Sequence, residues 1–284
     1  MLTWKLRKVN GDLYLWARSC ETLEECRSII NFIGNIVELL PYENILQLML
    51  NFLERFGDSI LLDLSFLIEK LSIPIEKKAL ILKRFYFRGD PKVKNLAVFS
   101  ICRLSSEFFE EFFELLIIIC YDKHKKFRQM ATHAIMEHLS GLDPENYKKA
   151  INALLASNIT EAYLAILNSL IQVRKQISTN FVKLIFNRIL RKPRVNILKK
   201  LLEALQFYWD VFNEKELIRL LRIIFLTIGE NKQLMTSYIE LLDLILENKN
   251  TRFVVQLYSK LLKLGKNPEI KMKIEDAFKK YLKL

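Results

Sequence analysis

Gly89-Asp90-Pro91-Lys92-Val93-Lys94-Asn95-Leu96-Ala97 and Asp122-Lys123-His124-Lys125-Lys126-Phe127-Arg128-Gln129-Met130-Ala131 follow one local pattern. Each closes on an apolar residue, a base, two spacers and an alanine. Val93 and Phe127 are 34 positions apart. Steps of that size reach Glu161 and Val195 in one direction, then Leu234 and Ile270 along the apolar pattern; in the other direction they reach Ile60 and Cys26. The steps run between 33 and 39, which makes eight units in 284 residues. A fixed period of this length marks stacked supersecondary units.

The turn-forming residues keep the same interval. Gly57, Gly89, Gly229 and Gly265 fall three to five residues before a ladder position, where a glycine can end a helix in the left-handed conformation. Pro91, Pro193 and Pro268 fall two residues before one, suited to the first turn of a new helix. Pro41, Pro74 and Pro144 lie in the other connection. Each unit therefore reads as two antiparallel helices, A and then B. Glu107, Glu110, Glu111 and Glu114 share one helical face, while Phe108, Phe109, Phe112 and Phe113 cover the rest. Thr22 with Glu25 has capping-box spacing at the start of the first B helix. Ala97, Ala131 and Ala165 fall where helices must approach closely. One such pair cannot bury its apolar stripe alone, and stacking makes a continuous core.

The stretch Asp90-Pro91-x-Val93-Lys94-x-x-Ala97 resembles the second helix of HEAT repeats, as does Asp122 through Phe127-Arg128-x-x-Ala131. The resemblance implies an all-α, right-handed α–α superhelix of seven to eight HEAT-like pairs over residues 21–284. It also implies a polar ladder between repeats made by Asp90 and Asp122 with Lys94 and Arg128. By motif the likeness covers 89–140; the last three units carry Lys199, Tyr238 and Ile274 in the alanine slot. The tetratricopeptide and ankyrin signatures are absent. Residues 1–20 break the pattern. Asn10-Gly11, between Leu2–Val9 and Asp12–Ala17, predicts a small β-hairpin that caps the stack, with an irregular first helix as the alternative.

The composition agrees with helices on short connections: 7 Gly and 6 Pro in the whole chain. The longest apolar run, Leu115 to Cys120, is too short to span a membrane, and Lys5, Arg7, Lys8, Asn10 and Gly11 interrupt the N-terminus, so no signal peptide and a cytoplasmic location are expected. Cys20, Cys26, Cys102 and Cys120 form no CxxC pair and read as reduced and buried.

No motif for chemistry emerges. His133 and His138 stand five apart and so point in different directions from a helix, which argues against a metal site. No phosphate-binding glycine loop or nucleophile elbow is present, and no cofactor is expected. Tyr208-Trp209-Asp210 is similar to the aromatic–Asp cluster of DNA glycosylases built on HEAT-like repeats, but Val211-Phe212 after it reads as core and the trio as packing at a helix end.

Charge is the informative feature. Residues 1–140 hold 19 basic and 18 acidic side chains, whereas 141–284 hold 25 and 14, within a net charge of +12. A concentrated positive field attracts polyanions; a lysine-rich composition raised for heat stability is the competing account. The A-to-B turns place Lys92, Lys94, Lys123, Lys125, Lys126, Arg128, Arg191, Lys192, Arg194, Lys232, Lys263 and Lys266 along one edge of a solenoid. The opposite connections add Lys148, Lys149, Arg174 and Lys175. Such an edge could track a phosphate backbone. The function expected from the architecture is a non-enzymatic scaffold or adaptor that binds a protein partner on a concave B-helix face. The alternative is a nucleic-acid-binding solenoid that uses the basic C-terminal half. The sequence leaves the oligomeric state open.

Overall fold

The structure is a computed structural model, which describes residues 15, 19–88, 90–173, 177–191, 193–265 and 268–282. The expected hairpin falls almost wholly outside these residues, as do Gly89, Arg174, Lys175, Lys192 and Lys266. Among the described residues all regular structure is helical. The helices fall in two compact units, Met1–His138 and Leu139–Leu284. That boundary coincides with the charge step, so the near-neutral half and the basic half are separate packing units.

The first unit contains α1 (Leu23–Asn35), α2 (Tyr42–Phe56), α3 (Leu61–Lys70), α4 (Ile75–Arg88), α5 (Pro91–Leu104), α6 (Phe109–Cys120) and α7 (Lys125–His138). The second contains α8 (Pro144–Ser157), α9 (Thr160–Val173), α10 (Thr179–Ile189), α11 (Val195–Tyr208), α12 (Glu214–Ile228), α13 (Lys232–Glu247), α14 (Thr251–Leu264) and α15 (Pro268–Leu282). The expected B helices are the odd-numbered ones. They pack in sequence, α1 on α3, α5 and α7 in the first unit and α9 on α11, α13 and α15 in the second. The A helices form the other layer, with α4 on α6, α8 on α10 and α12 on α14.

Local chemistry sets the helix ends. Thr22 Oγ1 accepts from the Glu25 amide at 3.2 Å while Glu25 Oε2 accepts from the Thr22 amide at 3.2 Å, the capping box that the spacing predicts. Asn213 and Glu216 repeat it on α12. Asp90 and Asp143 cap α5 and α8, each followed by a proline in the first turn. Gly57 and Gly229 close α2 and α12 with φ of 58° and 55°, as expected of glycine. Gly265 instead has φ −65°, an ordinary value. In the Ser157-Asn158 turn, which lacks a glycine, Asn158 takes the left-handed conformation at φ 56°. Pro193 precedes α11 without entering its first turn, because Arg194 is the N-cap.

The core lies between the layers. Ile33, Ile45, Met49, Leu64, Ala97, Phe112 and Ala131 are fully or almost fully buried in the first unit; Phe186, Leu201, Tyr238, Phe253 and Phe278 are in the second. The small-residue slot fails at α9. Glu161 is exposed and Ala162 buried, so the register there is shifted by one residue and Ile166 takes the buried place expected of Ala165. The period itself reappears in the hydrogen bonds. Arg27 to Asp63, Tyr86 to Asp122, Arg103 to Glu69, Tyr208 to the Leu170 carbonyl, Asn250 to Glu214 and Lys280 to Glu247 all join positions 33 to 38 residues apart. Each binds a helical pair to the next.

Candidate interaction surfaces

Asp122 is the centre of the best-defined polar cluster. It sits in the turn between α6 and α7, with its side chain 4% exposed. Its Oδ1 accepts the His124 amide at 2.8 Å, and its Oδ2 accepts Lys94 Nζ and the Tyr86 hydroxyl, both at 2.6 Å. Lys94 Nζ also lies 4.5 Å from the centre of the Tyr86 ring. Burial pushes the Asp122 carboxyl up, but the His124 amide, Lys94 and Tyr86 together outweigh it and hold the group down at about 2. Burial and the hydrogen bond to Asp122 push the Tyr86 phenol up. The rung from Lys94 to Asp122 joins α5 to the next pair. The other members implied by the resemblance act within their own turns: Asp90 caps α5, and Arg128 Nη1 donates to the Asp122 and Lys123 carbonyls at 2.8 and 2.9 Å.

The expected basic edge is made of contacts of the same kinds. Lys92 Nζ donates to the Glu54 carbonyl at 2.8 Å. Lys126 lies 3.9 Å from Asp58, both well exposed, and Lys232 is 3.3 Å from Glu269. Arg194 donates to Thr160 Oγ1 and, at 3.4 Å, to Asn158 Oδ1, with its guanidinium 5.7 Å from the Tyr163 ring centre. Lys123, Lys125 and Arg191 are exposed, and their side chains make no hydrogen bond or ion pair among the described residues. Lys192 and Lys266 lie outside the described residues. The structure brings Lys92, Lys94 and Lys123 together with Asp58, Asn95, His124 and Phe127 around a pocket of about 430 Å³. Most of the described edge residues are therefore bonded between or within pairs, and outward charge is left at Lys123, Lys125 and the weakly paired Lys126 in the first unit and at Arg191 and Lys263 in the second.

A second surface lies on the B layer and was not singled out in the sequence. Ile30, Asn31 and Gly34 of α1 face Asp63, Phe66, Leu67 and Lys70 of α3 across a groove of about 280 Å³. Phe66 is 42% exposed, with the Arg103 guanidinium 3.3 Å from its ring centre. Arg103 also reaches Glu69 at 2.8 Å, and Arg27 reaches Asp63 at 3.2 Å, so ion pairs between neighbouring B helices flank the ring. The signal available in the sequence was Gly34 in the last turn of α1, where the Lys70 side chain of α3 lies across it, its Cδ 3.5 Å from where a Cβ would stand.

The residues weighed for chemistry occupy ordinary places. His138 stacks on Phe109 at 4.2 Å between ring centres, and His133 is exposed. Tyr208 is buried and donates to the Leu170 carbonyl at 2.7 Å, Trp209 lies beneath Lys249 at 5.3 Å, and Asp210 is exposed, so the trio does not converge. Among the described residues no three His, Cys, Asp or Glu side chains are grouped to hold a metal ion. Nor is any helix among them long and apolar enough to cross a membrane.

No protein-family model matches the chain, and a search of curated proteins finds no match. Among solved structures the chain is similar to an engineered protein at 15% identity and a TM-score of 0.33, covering 96% of this chain and 78% of that one. It is also similar to a chain from the computational design of self-assembling cyclic homo-oligomers at 14% identity and a TM-score of 0.14, covering 99% and 94%. Likeness at these scores carries no argument about function.

Proposed function

We propose that the protein is a non-enzymatic adaptor, a right-handed superhelix of HEAT-like pairs, and that its B-helix face receives a protein partner. The observation that carries the reading is the groove between α1 and α3. It presents a half-exposed aromatic, Phe66, braced by Arg103 and bordered by ion pairs. An aromatic with a charged rim is the anatomy of a binding hot spot. The partner's complement is an apolar anchor that covers the Phe66 ring.

The test is affinity capture from nuclease-treated extract with the whole chain as bait, beside Phe66→Glu and, as a control on the A layer, Leu184→Glu. A protein retained by the wild type and the control and lost with Phe66→Glu supports the adaptor. Equal retention by all three sinks the groove as the docking site.

A specific observation favours a nucleic-acid reading as the second choice, centred in the near-neutral first unit instead of the basic C-terminal half expected from the charge distribution: the outward cluster of Lys123, Lys125 and Lys126 beside a pocket lined with lysines. Labelled single- and double-stranded DNA and RNA would be titrated between about 50 and 200 mM salt. Micromolar binding with a steep salt slope, abolished when the three lysines become glutamate, would move this reading to first place. Binding that vanishes at the higher salt would discard it.

A further inference from the structure

We propose that the outer face of the A layer in the second unit docks on an anionic phospholipid bilayer, lying on its surface without crossing it. This face is built by α10, α12 and α14 and shares no residue with the Phe66 groove. On α12 the exposed residues Lys215, Arg219, Arg222 and Leu226 follow one another at steps of four, three and four, so they form one stripe. On α14 the stripe is Arg252, Val255, Ser259 and Lys263, with Lys260 exposed beside it. The two helices pack together, and Asn250 at the start of α14 donates to Glu214 at the start of α12 at 3.2 Å, so the stripes run side by side. α10 continues the field: its Lys183 reaches Glu216 of α12 at 2.7 Å, and its last turn exposes Arg188.

The counter-charges set this face apart. α10 and α14 contain no Asp or Glu. α12 contains only Glu214 and Glu216, and both are turned to neighbours, Glu214 toward Asn250 and Glu216 toward Lys183 and the Asn213 amide. None of the exposed bases on the three helices pairs with a carboxylate among the described residues. The B layer of the same unit is the reverse: Lys200 meets Glu203, Lys232 and Lys273 meet Glu269, Lys279 meets Asp276, and Lys280 meets Glu247. The positive excess of this half is therefore weighted to the A layer. Uncompensated charge held at fixed positions attracts a polyanionic surface.

Two further observations favour a bilayer over a nucleic acid. Leu226 is 55% exposed and Val255 49%, each within a basic stripe. No aromatic residue of α10, α12 or α14 is exposed, and Phe186, Phe225 and Phe253 are buried. Single strands bind by stacking their bases on rings, and a duplex is held through its phosphates, so neither has a use for outward aliphatic side chains. A membrane interface takes both features of this face. Bases meet the lipid phosphates, arginine through two parallel hydrogen bonds, and aliphatic side chains enter the headgroup boundary.

The experiment sediments the nuclease-treated whole chain with vesicles of phosphatidylcholine alone, or of phosphatidylcholine with about 30% phosphatidylserine. Binding is expected to the anionic vesicles only, and to weaken as salt rises from about 50 to 300 mM. Arg219→Glu with Arg222→Glu should lower the bound fraction's partition coefficient by about tenfold or more. Lys199→Glu with Lys271→Glu makes the same charge change at exposed B-layer positions and should lower it less than about threefold. Leu226→Gln with Val255→Gln keeps the net charge and should lower it about threefold or more. Thermal melts that match the wild type show that each variant folds. Failure to bind phosphatidylserine vesicles would overturn the proposal, as would equal losses in the two charge-reversal variants. So would vesicle binding that duplex RNA displaces while the Leu226 and Val255 changes leave it intact, which would mark the face as a nucleic-acid surface.

Discussion

Replacing Asp122 by asparagine removes the charge around which the seam between α5 and α7 is organised, while keeping the side chain's size. The carboxylate takes three donors at 2.6 to 2.8 Å, two of them on one oxygen. Losing one partner of a fully buried pair costs roughly 3–5 kcal/mol. Here the Lys94 side chain is 22% exposed and regains part of its hydration. Asparagine also retains an oxygen for the His124 amide. The expected loss is therefore about 2–4 kcal/mol, or roughly 10 °C in the melting of a unit of this size at the midpoint of that range. The loss should fall on the N-terminal unit. Urea unfolding at neutral pH, followed by hydrogen exchange on α4 to α7, measures it. A loss under about 0.5 kcal/mol would refute the reasoning. So would strict additivity with Lys94→Met, because two residues in contact must couple by about 0.5–3 kcal/mol. The wild type supplies an independent check through pH. The folded carboxyl titrates near 2 against an ordinary 3.8, so protonation favours unfolding. Its contribution is complete above about pH 4 and lost as pH falls through about 2. It amounts to about 1–2 kcal/mol once screening at the edge of the turn is allowed for. Asp122→Asn should flatten that part of the stability curve.

Gly57→Ala and Gly229→Ala should each cost about 1–3 kcal/mol although no atom lies within 4 Å of the added carbon, because φ near +55° with ψ near −130° is open only to glycine. Gly141→Ala, in open space at an ordinary φ, should stay within about 0.5 kcal/mol by the same denaturation assay, and parity among the three would remove the backbone argument. Thr22→Ala should cost about 1 kcal/mol and increase hydrogen exchange in the first turn of α1, whereas Thr22→Ser should leave both unchanged. Arg103→Lys keeps the charge but gives up the planar stack on Phe66, and should loosen the α3–α5 contact by about 0.5–1 kcal/mol, read as a shift in the urea midpoint.

The ladder of 34-residue steps, the A-and-B alternation, the Thr22 capping box and the turn glycines at 57 and 229 were legible because each depends on a few neighbouring residues. The slip at α9 was not. A left-handed Asn158 takes the place of a glycine, and the register moves by one residue, which brings Ala162 inward and turns Glu161 out. Lysines in the turns were equally visible, but their bonds were not. Lys92 ends on a carbonyl 38 positions back, and Lys94 on a carboxylate 28 positions ahead. A string of letters shows the sign of a charge and leaves out the counter-charge that meets it one repeat away. The groove at Phe66 was hidden for a similar reason. Periodicity identifies a helix's inward face but does not show which outward residues of neighbouring helices will line a groove together.

The hydrogen bonds that span 33 to 38 residues have a kinetic consequence. Each closes a loop of about one repeat, and the entropy of loop closure rises only slowly with length, so no bond is markedly harder to form than another. Within either unit, a helical pair that has emerged during synthesis already has, in the pair before it, the partner it needs. Folding can keep pace with the growing chain, and apolar helix faces remain uncovered only for the time it takes to make the next thirty-odd residues.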